Sequence, residues 1–114
     1  MRALIMVSYL ALLMGSLLAN KPNNNITKQP EQKIPFRLYY EDFNSYDTVD
    51  YRGEVIVSFV IDEMGKVINP EIIDTFDIKL NETIIDKVMA IKFSPAIQNG
   101  RPVKVRYRLP ILFK

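Results

Sequence analysis

The sequence contains no cysteine and no histidine. Without them no zinc, haem or iron–sulfur site of the usual ligand types can form. A disulfide framework, a cysteine nucleophile and a histidine general base are excluded by the same two zeros. Glycine is scarce: Gly53, Gly65 and Gly100 are too scattered to make a phosphate-cradling loop. The net charge of +2 is too small for a general polyanion binder. Only carboxylates and lysines are left as acid/base groups. The adjacent Asp62 and Glu63 fall on a turn, where acids are usually just solvated, and Ser58 and Ser94 have no histidine to activate them. We therefore expect no enzyme, no catalytic residue, no metal ligand set and no cofactor. What is present, 114 residues at 48% apolar content, describes one small globular unit.

The N-terminus reads as an address. Met1-Arg2 is followed by an uncharged run, residues 3–19 (ALIMVSYLALLMGSLLA), which ends at Asn20-Lys21-Pro22. A positive start, an apolar stretch and a small residue at the exit are the parts of a secretory signal. The run also reaches the lower limit of a membrane-spanning helix, so an uncleaved anchor is the competing reading. A cleaved signal is favoured, because Gly15-Ser16 would loosen a spanning helix near its outer end. Either reading places the remainder outside the cytoplasm, where a nucleic-acid ligand is absent. Residues 20–35 hold four Asn, three Pro and two aliphatic residues, and are expected to form a flexible linker. The folded domain is expected over 36–114. The triplets Asn25-Ile26-Thr27 and Asn81-Glu82-Thr83 have the form of glycosylation sequons, but the second is explained by the start of a helix.

Residues 54–62 (EVIVSFVID) alternate, with Val55, Val57, Phe59 and Ile61 on one side of a strand. Gly65 suits the following turn, and residues 66–74 return as a second strand in which Pro70 marks an edge or a bulge. Leu80, Ile84, Val88 and Ile91 then form the apolar stripe of a helix over about 81–91, with Asn81 as a natural N-cap. Asn99-Gly100 is turn chemistry, and residues 103–109 (VKVRYRL) alternate as a last strand. Residues 36–52 carry six aromatics; Phe36, Tyr39, Tyr40 and Phe43 keep the spacing of a short helix before the first strand. Core packing is the favoured reading of those rings, ahead of a sticky surface.

Charge is unevenly spread. Residues 101–114 hold five bases and no acid, whereas 21–100 hold nine bases and thirteen acids. Within the last strand Lys104, Arg106 and Arg108 share one face, and Val103, Val105, Tyr107 and Leu109 share the other. Taken alone, this reads as a solvated face that discourages edge-to-edge aggregation.

From Gly53 onward the chain resembles the C-terminal domain of the TonB energy-transducer family. The elements that carry the resemblance are Gly53-Glu54-Val55, Gly65-Lys66-Val67, Phe93-Ser94-Pro95-Ala96, Gly100-Arg101-Pro102-Val103 and Leu109-Pro110-Ile111-Leu112-Phe113. It implies an α+β, two-layer fold: a three-stranded antiparallel sheet in β-β-α-β order with the helix on one face. It also implies that the last strand accepts an extended segment, the TonB box of an outer-membrane TonB-dependent receptor, as an added strand. Arg101, Val103, Lys104, Val105, Arg106, Tyr107 and Arg108 are then the expected partner-binding residues. Pro110 would limit pairing beyond Leu109.

Transducers of this family carry a histidine in the signal-anchor helix that couples to the proton-driven inner-membrane motor, and this sequence has none. The expectation is accordingly a short, stand-alone TonB-like domain that reaches the motor, if at all, through another subunit. The rival is a structural or regulatory envelope module in which the same edge pairs with its own copy in a homodimer, or with another periplasmic protein.

Overall fold

A computed structural model describes residues 3–5, 26–43 and 50–113. The expected signal or anchor lies outside the described residues except for β1 (Ala3–Ile5), which pairs antiparallel with β4 (Leu38–Tyr39). Residues 20–25 of the expected linker also lie outside. Its remainder is not free chain: β2 (Ile26–Lys28) and β3 (Glu31–Gln32) are strands paired to the body of the domain.

The central sheet follows from alternation. β5 (Gly53–Ile61) and β6 (Val67–Asp74) form a hairpin, and β10 (Val105–Phe113) closes the other side, giving the order β10-β5-β6 with every pair antiparallel. Val55, Val57, Phe59 and Ile61 are buried on one face together with Tyr107, Leu109, Ile111 and Phe113. The turn between β5 and β6 is held by Asp62, whose Oδ1 accepts the Met64 amide at 2.8 Å and the Lys66 amide at 2.9 Å. Gly65 there has φ +83°, a conformation that side chains disfavour. On β6 the register slips between the pairs Ser58↔Glu71 and Val60↔Ile68, leaving one extra residue at Asn69-Pro70 with Asn69 at φ 52°. β6 is an edge strand, so the expected bulge at Pro70 sits where a missing amide donor is tolerated.

A 3-10 turn (Ile78–Leu80) leads into α1 (Asn81–Met89), which buries Ile84 and Val88 against the sheet. The cap differs from expectation. Asp77, not Asn81, accepts the Lys79 amide at 2.9 Å and opens the turn, while Asn81 is already helical and its Oδ1 is buried without a partner. Competition favours Asp77 because the 3-10 turn begins the helical path four residues earlier. The short helix before the first strand is a 3-10 turn, Tyr40–Phe43. It is pinned to α1 by Lys87 Nζ and Asp42 Oδ1 at 3.0 Å. Phe43 is buried, with its ring 5.9 Å from both Tyr51 and Phe113, and Phe36 packs on the same core. These rings fill the sheet end as core, each worth about 2–3 kcal/mol of burial.

After α1 the chain runs through β7 (Phe93–Ser94) and β8 (Ala96–Gln98), turns at Asn99-Gly100, and returns as β9 (Arg101–Val103). Asn99 at φ 51° and Gly100 at φ 76° make the two-residue hairpin whose twist suits flanking strands. The expected single strand from 103 is therefore two. Val103 pairs with Ala96, Lys104 lies between strands, and β10 begins at Val105. β10 also continues past Pro110, which lies opposite Ile56, to Phe113. An edge strand accommodates a proline that a central strand would not.

Candidate partner-binding edge

β10 is hydrogen-bonded to β5 on one side and, among the described residues, to no strand on the other. β1 lies close to this strand without pairing to it, and the place of each β10 residue follows from the register with β5. Val105 lies opposite Ile61, Arg106 opposite Val60, Tyr107 opposite Phe59, and Arg108 opposite Ser58. Tyr107 and Val105 turn into the core, so only their backbone faces a partner. Tyr107 is wedged between the rings of Phe59 at 5.4 Å and Phe93 at 5.1 Å. Burial among these rings pushes its phenol up to about 12.

Arg106 and Arg108 occupy the sheet face turned away from α1. Arg106 Nη1 donates to Ser58 Oγ at 3.3 Å, and Ser58 itself is buried beneath it. Arg108 is half-buried with its Nε out of water and without a hydrogen-bond partner. Lys104 is exposed beside the turn carboxylate of Asp62. Asp62 is held below the usual carboxylate range, first by the Lys66 amide, then by the Met64 amide and by the charges of Lys66 and Lys104, against an opposing effect of desolvation.

The expected residues thus separate into two groups, with Lys104 in the link between them. Val105, Arg106, Tyr107 and Arg108 share β10 and its open edge. Arg101 and Val103 belong to the β8–β9 hairpin, with Arg101 exposed opposite Gln98. Leu112, exposed opposite Glu54, extends the edge beyond the stretch expected from sequence. The continued alternation of Leu109, Ile111 and Phe113 was the available signal for it, masked by Pro110. Among the described residues no cluster of carboxylates could hold a metal ion, and no helix is long and apolar enough to cross a membrane.

Among the described residues, a three-stranded antiparallel sheet with one helix on its inner face and a last strand paired on one side only defines a two-layer α+β domain. The family model described as "Gram-negative bacterial TonB protein C-terminal" matches residues 48–114, more than half of the chain, and the protein belongs to this family. The family is one of energy-transducing, non-enzymatic proteins of the cell envelope that interact with outer-membrane receptors. No curated protein shows significant similarity to the chain.

Proposed function

We propose that the free edge of β10 receives an extended segment of an outer-membrane TonB-dependent receptor, its TonB box, by strand addition during transport across the envelope. The open edge of β10 is the single observation that carries this reading. Backbone hydrogen bonds supply the affinity of such an addition, and alternate side chains set its register. Lys104, Arg106 and Arg108 select a segment with acids flanking its apolar residues. The same cations disfavour the homodimer formed by pairing two copies of β10, since antiparallel self-pairing sets like charges across from one another.

The apolar run 3–19 serves as a cleaved export signal in this reading, and the domain works in the periplasm. With no histidine in the sequence, force from an inner-membrane motor arrives through another subunit. The test is a titration of the isotope-labelled protein with peptides from receptor N-termini, followed by backbone amide shifts. Shifts confined to β10, lost on combining Lys104→Glu with Arg106→Glu, are the expected result. Unchanged binding in that double variant overturns the assignment.

A further inference from the structure

The segment 26–33 lies along residues 92–98 as an added strand of the chain's own making. Lys28 pairs with Ile97, Glu31 with Ser94 and Gln32 with Phe93, and the Lys33 amide donates to the Lys92 carbonyl at 2.9 Å. From Lys28 to Lys33 the contacts keep one antiparallel register, which sets Pro30 across from Pro95; Ile26, opposite Gln98, has slipped out of it by one residue. Neither proline has an N–H, so β2–β8 and β3–β7 are one pairing interrupted where no ladder bond is possible.

The arm is weakly held for a strand so placed. Thr27 Oγ1 donates to the Ile97 carbonyl at 3.1 Å and the Glu31 amide donates to Ser94 Oγ at 3.1 Å, both in exposed positions. Of its side chains Pro30 is buried, Ile26 and Gln32 are half-buried, and no arm residue belongs to the hydrophobic core. The seat lies inside the stretch matched by the family model, and the arm lies outside it.

Charge is also mismatched. From Lys92 to the end of the sequence there is no acid, and Lys92, Arg101 and Lys104 are all exposed. The arm brings Lys28 and Lys33 against a single Glu31. An extended segment of opposite charge, with a proline set to meet Pro95, would fit the seat better than the arm does.

We propose that the edge formed by residues 92–98 is a second strand-acceptor site, distinct from β10, for an acidic, proline-bearing extended segment of a partner protein, and that residues 26–33 close it in cis. A tethered arm competes at an effective concentration on the order of millimolar, so only a better-matched segment displaces it.

The test uses the full chain in mild detergent and a synthetic peptide of segment 26–34 carrying Lys28→Glu and Lys33→Glu. Up to about millimolar peptide, amide shifts appear at 92–98 and the Lys33 amide loses its hydrogen-exchange protection. Affinity falls roughly tenfold between about 0.05 and about 0.3 M salt. In a double variant, Lys28→Cys with Ile97→Cys, the disulfide pins the arm in its seat; oxidation abolishes binding and reduction restores it. Binding undiminished by the locked arm, shifts on β10 in place of 92–98, or no binding overturns the proposal. A disulfide between two copies does so too, because it assigns the seat to arm exchange. Should the double variant fail to fold, the Lys33 exchange measurement on the unaltered chain decides. Receptor peptides on β10 still bind the locked form, so failure at one edge is distinguishable from failure at the other.

Discussion

Gly65 and Phe93 are in backbone contact across the domain: a Cβ on Gly65 would stand 1.9 Å from the Phe93 carbonyl oxygen, and the Phe93 amide donates to the Gly65 carbonyl at 3.0 Å. This contact fastens the β5–β6 turn to the strand leaving α1. Gly65→Ala meets a carbonyl that cannot move without β7 and also requires φ +83°. The expected cost is about 3 kcal/mol, combining overpacking with left-handed strain. Denaturant unfolding monitored by circular dichroism checks it, and a loss below about 1 kcal/mol contradicts so close an approach.

Asp42 does two things at once. Its Oδ2 accepts the Tyr39 amide at 2.8 Å and its Oδ1 meets Lys87 Nζ at 3.0 Å. Asp42→Ala therefore loses about 1–2 kcal/mol, mostly from the stranded amide. Lys87→Met, on a half-exposed side chain, loses under about 1 kcal/mol. A double-mutant cycle separates the two contributions. Coupling above about 1 kcal/mol would mean that the ion pair, not the amide bond, orders the turn.

Tyr107 makes stability fall at high pH. Its phenol is pushed from 10.0 to about 12 by burial, so the folded state holds the proton longer than the unfolded chain does. A raised folded pKa gives stability that is complete below the unfolded value and lost as pH climbs through 10.0 towards about 12. The loss amounts to about 3 kcal/mol at most. Unfolding of the native protein and of Tyr107→Phe at about pH 9 and about pH 11 tests it. The native protein loses more stability than the variant over that interval, and equal losses exclude Tyr107 as the cause.

Much of the fold was legible because its signals are local. Four alternating residues, Val55, Val57, Phe59 and Ile61, specify β5, and Ile84 with Val88 marks the inner face of α1. The split at Lys104 was not legible, since alternation runs unbroken from Val103 to Leu109 and only the pairing of Val103 with Ala96 reveals two strands. The arm was invisible for a deeper reason. Its partner lies more than sixty residues away, it buries a single proline, and backbone hydrogen bonds leave no pattern in side-chain chemistry. At the candidate edge, the cations of β10 were readable as a face, but the burial of Ser58 beneath Arg106 required the register of two strands.

Arg108 sets stability against binding. Its Nε is buried without a partner, a state that costs a buried donor about 1–3 kcal/mol. Arg108→Met keeps an apolar stem of similar length opposite Ser58 and removes the donor. The variant should be more stable than the native protein by about 1 kcal/mol. If β10 takes an acidic segment, the same change removes the positive charge that would attract it, and receptor-peptide affinity falls about tenfold, with a shallower dependence on salt. Thermal unfolding and peptide titration on one preparation read both quantities. Gain of stability with unchanged affinity would move the partner's acid to Lys104 and Arg106. Loss of stability would mean that the guanidinium is satisfied through its other nitrogens. A native sequence that retains Arg108 at a cost to its own fold is then explained by what the edge binds.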